Sequence, residues 1–207
     1  MITRPLPVES GPSYDSGSLG IKFAWFDDRL VLNTAAFNVK RDNVATLTTL
    51  DGIETVVFDS QKTKGTEVSM DAALTHQWHV LINATSQDAF ITDNPQGLTS
   101  VGHHPQGAPN FLANLWTTYR FHIAGIPGFR VGAGVNYQDK SYSDITNVNA
   151  IPSFVITSAL LGYEASLWGV DVNIHNITDR RYFVAANGAG AFVGEPRSAF
   201  VNLHANF

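Results

Sequence analysis

Seven histidines and no cysteine set the range of chemistry open to this chain. Without a thiol there is no disulfide framework, no thiolate metal site and no cysteine nucleophile. His76 and His79 have the HxxH spacing with which a helix brings two imidazoles to one metal. The residues around them alternate instead, with Val68, Met70, Ala72 and Leu74 sharing a parity before the pair and Trp78, Val80, Ile82 and Ala84 after it. On a strand, residues three apart point to opposite faces, so no metal site is assigned. His103 and His104 are adjacent in a long loop, 92–107, where direct contact with a ligand is a possible role. Asp27 and Asp28 could be paired carboxylates, but a hairpin turn between two alternating runs explains them without chemistry. The sequence has no GxSxG elbow, P-loop, GxGxxG or HExxH, and no enzyme activity is expected.

Bulk properties narrow the class. A net charge of -5 with no basic cluster argues against a nucleic-acid partner, because phosphate binding needs concentrated positive charge. Charged residues make up only 15% of the chain, where roughly a quarter is usual for a soluble domain. No run approaches the roughly 18 apolar residues of a spanning helix. A mean hydropathy of -0.03 with many aromatics fits a transmembrane barrel, in which only every second residue meets lipid. A soluble sandwich has a similar composition.

The elements that must position these residues are strands. Met1 to Ser13, with Pro5, Pro7 and Pro12, reads as a loop or disordered start, and it lacks the pattern of a secretory signal. Taken literally, such a chain would stay in the cytoplasm. From residue 14 onward the chain reads as one domain. Leu19, Ile21, Phe23 and Trp25 alternate with polar or small residues, and the turn at Asp27-Asp28 leads into a strand in which Val31, Ala35, Phe37 and Val39 share a parity. Arg41 to Ser60 is a longer connection that either extends these strands or makes a small hairpin at Asp51-Gly52. Phe111, Ala113, Leu115, Thr117, Tyr119 and Phe121 face one way, and Phe129, Val131, Ala133, Val135 and Tyr137 repeat the pattern after a turn at 124–128. Near the end, Trp168, Val170, Val172 and Ile174 oppose Asp171, Asn173 and His175. Ala199, Val201, Leu203, Ala205 and Phe207 then oppose Asn202 and His204. About nine strands result, with short connections at one end and long ones at the other.

The last two strands carry further motifs. Asn176, Ile177, Asp179 and Tyr182 precede Gly194, Pro196, Arg197 and a terminal Phe207. These residues resemble the closing hairpin of TonB-dependent siderophore receptors, with its N-[IL]-x-[DN]-x-x-Y and G-x-P-R motifs. Gly65-Thr66-Glu67, Ala108-Pro109-Asn110 and Leu115 to Tyr119 resemble earlier strands of the same family.

The resemblance implies an all-β fold, the carboxyl-terminal portion of an antiparallel up-and-down transmembrane β-barrel of 22 strands whose plug domain is absent from these residues. It also implies a bacterial outer-membrane location, a ferric siderophore as transported ligand rather than a cofactor, and TonB as partner through a missing amino-terminal region. Phe207 would be the signal read by the barrel-assembly machinery. Tyr119, Phe121, Tyr137 and Tyr142 fit the aromatic girdles at the lipid interfaces. Tyr142, Tyr182 and Phe183, with His103 and His104, are the candidates for lining a ligand-receiving mouth. A soluble all-β sandwich or jelly roll, a small stand-alone porin and a hydrolase built on barrel strands are the alternatives.

Overall fold

A computed structural model describes residues 11–50, 53–95, 99–187 and 190–205. Its regular elements are strands: β1 (Ser13–Trp25), β2 (Leu30–Leu50), β3 (Ile53–Ala73), β4 (Trp78–Asp93), β5 (Phe111–Ile123), β6 (Ile126–Gln138), β7 (Ser141–Tyr142), β8 (Ala150–Ile151), β9 (Phe154–Glu164), β10 (Trp168–His175), β11 (Phe183–Asn187), β12 (Gly190–Val193) and β13 (Ser198–Ala205). Nine of them form a single antiparallel sheet in the order β1-β2-β3-β4-β5-β6-β9-β10-β13, while β7-β8 and β11-β12 are small separate hairpins. The sheet neither divides into two packed layers nor closes on itself, and β1 and β13 are its edges. The sandwich and the self-closed small barrel both fail on this topology.

The period-two pattern and the register together sort the side chains onto two faces. Phe23, Leu32, Met70, Ile82, Leu115 and Val135 form one line across six strands. Three residues nearer the short turns, His79, Thr118, Gly132, Leu160 and Asn173 form a line on the other face. The first face is apolar and open, the mark of a surface solvated by lipid, and the second is the polar lumen side. Strand β2 departs from expectation. Val31, Ala35, Phe37 and Val39 share a parity, but they pair with Ala24, Gly20, Ser18 and Ser16 of β1 and belong to the lumen face. The outward residues of β2 are Leu30, Leu32, Thr34 and Ala36, opposite Trp25, Phe23, Ile21 and Leu19. The turn between β1 and β2 sets this register, and a shift of one residue would invert every side chain.

The connections alternate as expected. Residues 26–29, 74–77, 124–125 and 165–167 join strands at one end, and 94–110, 139–153 and 176–197 at the other. Phe26, Asp27 and Asp28 all have positive φ in the first turn. The expected turn at 124–128 narrows to Ala124 and Gly125, with φ of 49° and 80°. Two left-handed residues are what a tight hairpin needs to match strand twist. Between Arg41 and Ser60 the strands continue rather than loop: β2 and β3 are each 21 residues long and pair from Val44–Asp59 out to Leu50–Ile53, past a break at Arg41. About 9–11 residues suffice for a tilted strand to span a bilayer, so the outer half of this hairpin rises above it. β1 begins at Ser13, inside the stretch expected to be loop.

Aromatic rings gather on the lipid side beside the short turns. Tyr119, Phe121, Phe129, Tyr163 and Trp168 run in an unbroken chain of ring contacts with centroids 4.8 to 6.4 Å apart. Phe111 and Tyr137 meet at 5.9 Å toward the other end. Tyr142 takes no part in either girdle; it lies in the β7-β8 hairpin, off the wall. The buried core lies at the end with long connections, where Val57 of β3, Ile91 of β4 and Ile145 of the 139–153 connection pack together.

Candidate functional site at the outer mouth

The loop 99–110 folds back along β4. Ile91 donates its N–H to His103 O and accepts from Gly102 N, at 2.9 and 2.8 Å. This places both loop histidines against the mouth core. His103 Nδ1 meets Ile145 O and His104 Nδ1 meets Ala89 O, each at 2.9 Å. A carbonyl only accepts, so Nδ1 carries the proton in both rings and Nε2 is the nitrogen left as an acceptor. Asn147, with φ of 58°, clasps His104 from both sides: its Oδ1 accepts from His104 N at 2.7 Å and its Nδ2 donates to His104 O at 2.9 Å. The His104 ring stacks on Tyr142 with centroids 5.7 Å apart.

Asp144 organises the connection that carries Tyr142. Its carboxylate accepts from the Thr146 hydroxyl and, at 2.8 Å, the Thr146 N–H, and from Ser143 Oγ at 3.1 Å and Asn149 Nδ2 at 3.3 Å. Burial pushes its pKa upward, but these hydrogen bonds outweigh that and hold it below the usual aspartate value. Asp59, in the outer half of β3, goes the other way. Burial raises its pKa despite hydrogen bonds from Gln61 and Thr46.

Tyr182 and Phe183 form a second group. The Tyr182 ring rests 4.5 Å from that of Phe154 and lies where a Cβ on Gly194 would be. Gly194 N donates to Tyr182 O at 2.8 Å. Phe183 opens β11 and is 43% exposed. The structure thus brings His104 and Tyr142 into ring contact with His103 beside them, while Tyr182 packs on Phe154 instead. Gln106 joins the two regions by donating Nε2 to Ala186 O of β11 at 2.9 Å. Phe207 lies outside the described residues.

The closing motifs are structural knots. Asn176, fully buried, donates to Arg180 O and Glu195 O at 2.9 and 3.0 Å and accepts from Arg180 N. Asp179 accepts from Arg197 N at 3.2 Å. Asn176, Asp179 and Tyr182 therefore meet Glu195, Arg197 and Gly194, and the two motifs tie the roots of one long connection to each other.

The lumen face holds polar pairs whose partners the sequence did not show. Arg130 binds Asp171 through Nε at 2.9 Å and Nη2 at 2.5 Å, reaching across the intervening Gly162. His204 meets Glu164 at 3.0 Å across Gly169 in the same way. Trp116 lies over Gly132 and Gly134. Nearer the mouth, Phe37 covers Gly65, and a cleft of about 600 Å³ opens beside it, lined by Arg41, Gln61, Gln87, Pro105 and Gln106. Gly65 was visible in its Gly-Thr-Glu motif, but its purpose, room for Phe37, depends on a strand pairing 28 residues apart.

Comparisons with known proteins agree with this architecture. The model of the family described as TonB dependent receptor-like, beta-barrel, matches residues 15–177. A probable TonB-dependent siderophore receptor, PiuA, of Acinetobacter baumannii is 30% identical over 90% of this chain and 26% of its own length. The ferrichrome outer membrane transporter/phage receptor of Escherichia coli K12 is 27% identical over 86% of this chain and 24% of its own. The crystal structure of the siderophore receptor PiuA from Acinetobacter baumannii superposes with a TM-score of 0.74 at 28% identity, over 92% of this chain and 28% of that one. This chain spans about a quarter of the length of these relatives. These relatives are transport receptors. A single open wall of nine antiparallel strands, apolar outside and polar within, is what such a match predicts, and the chain belongs to the TonB-dependent receptor family of Gram-negative outer-membrane proteins as part of its β-barrel.

Proposed function

We propose that this chain is the carboxyl-terminal part of the wall of an outer-membrane receptor that binds ferric siderophores at its outer mouth and imports them. The observation that carries the reading is the combination of a lipid-facing wall with long connections folded inward over the lumen at one end only. His103, His104 and Tyr142 form one contact surface for the chelate, and Tyr182 and Phe183 a second. The His Nε2 atoms accept hydrogen bonds, and the aromatic faces take planar or apolar parts of the ligand. Iron arrives already chelated, as cargo, so no resident cofactor is needed and the protein performs transport rather than catalysis. The plug and the TonB contact belong to the rest of the receptor, and lipid solvates the outward face. Phe207 serves as the mark read by the barrel-assembly machinery.

Deleting the receptor gene that encodes this segment and offering radioiron on a panel of purified siderophores tests the reading. Loss of uptake for one chelate, restored by the intact gene, is expected. Unchanged uptake of every ferric chelate in iron-starved cells would overturn it.

A further inference from the structure

The cleft beside Phe37 is lined by three glutamine side chains and one arginine. Gln61 turns Nε2 to Asp59 Oδ1 at 2.8 Å, Gln87 to Pro109 O at 2.9 Å and Gln106 to Ala186 O at 2.9 Å. Each amide nitrogen thus spends one of its two hydrogens on the protein, and the side chain keeps Oε1 and one N–H for a ligand. Each of the three amides therefore both accepts and donates, as a peptide unit does.

Arg41 stands directly opposite Gln61 in the β2-β3 register and is exposed. Among the described residues it has no hydrogen-bond or ion-pair partner. The other charge on the cleft, Glu67, is opposite Ala35, six residues along the strand from Arg41. That is roughly 20 Å at the rise of a strand, beyond the Debye length at physiological salt, and the nearer Asp59, two residues along β3 from Gln61, is buried and held by Gln61 and Thr46 rather than by Arg41. The Phe37 ring, laid across Gly65, supplies a flat apolar surface between the two charges.

Building on the receptor reading, we propose that this cleft selects a peptide-built ferric chelate that keeps one carboxylate free of the iron. Arg41 takes that carboxylate through its planar fork, and the side-chain amides of Gln61, Gln87 and Gln106 pair with the N–H and C=O groups of the adjoining amides.

The test uses the full receptor in detergent micelles and two probes: the ferric complex of a peptide hydroxamate bearing one free carboxylate, and the same complex as its methyl ester. The wild type is expected to bind the acid about tenfold more tightly than the ester. Arg41→Gln should abolish that preference without changing the Kd of the ester, and Arg41→Lys should restore most of it. Equal affinity for acid and ester, an equal loss for both in Arg41→Gln, or binding of neither probe overturns the proposal. A receptor that ignores both probes yet imports another chelate in the radioiron panel loses the cleft assignment and keeps the receptor reading. One that imports none loses both.

Discussion

In the half of the wall next to the short turns, Leu161, Val201 and Leu203 are 56, 63 and 76% exposed, whereas at the outer mouth Val57, Ile91 and Ile145 are at most 1% exposed. The two regions share strands, since Val57 and Val68 both belong to β3 and Ile91 and Ile82 to β4. Their difference shows that one sheet meets two solvents. Where the strands are lipid-solvated, large apolar side chains point away from the protein and small or polar ones line the lumen. Above the bilayer, water is the solvent, and the loops must bury an ordinary core of their own against the upper strands.

The contrast can be broken at its strongest point by Ile91→Ala. A cavity under the 99–110 loop should cost about 2–5 kcal/mol locally, and limited proteolysis in lipid vesicles should cut that loop faster while the wall keeps its resistance. A wall that unfolds along with the loop would mean that the two regions are one cooperative unit. On the other side, Leu115→Arg places a charge on the lipid face of β5, opposite Ile82 and Val135. A loss of about 2–4 kcal/mol is expected in urea unfolding from vesicles. A neutral result would show that this face is not in the bilayer.

Asn176→Ala sharpens the boundary between the regions. It leaves Arg180 O and Glu195 O without their donor and should cost about 1–3 kcal/mol, seen as a lower unfolding midpoint, while Gly190→Ala, with nothing within 4 Å of the added methyl, should change nothing. The smallest expected effect is on pH dependence of the mouth. Asp144 has a lowered pKa when folded, so its stabilisation is complete above the unfolded aspartate value and is lost as pH falls through the folded one. Asp59 has a raised pKa, so its contribution is present below the unfolded value and is lost as pH rises through the folded one. Proteolysis of the mouth during acidification from neutrality should therefore slow slightly before it quickens. Asp59→Asn should remove the first phase and leave the second. A profile that Asp59→Asn does not alter would count against the burial of that carboxyl.

Much of the wall was legible because its signals are local. Phe129 to Tyr137 alternates cleanly, and β6 follows it; Asp27-Asp28 is a turn and makes one. The candidate site was legible only as positions. His103 and His104 stood out as a pair in a loop, but the partners of their rings, Ile145 and Ala89, are 42 and 15 residues away in the chain. Tyr142 was ambiguous between girdle and loop, since a single aromatic near a strand end carries no information about which side of the interface it will reach. Arg41 was hidden because its segment reads equally as extended strands or as a small hairpin, and the pairing that puts it opposite Gln61 is 20 residues away in the chain.

By itself the sequence determined the strands, their two faces within each run and the alternation of short and long connections. These follow from side-chain period and turn chemistry, which act over a few residues. Only the tertiary structure decided which face of β2 looks outward, how the loops pack into a core, and that Gly65, Gly162 and Gly169 exist to let distant side chains cross a strand. Those outcomes depend on register between strands and on close approach of residues far apart in the chain, where one residue of slip exchanges lipid for lumen.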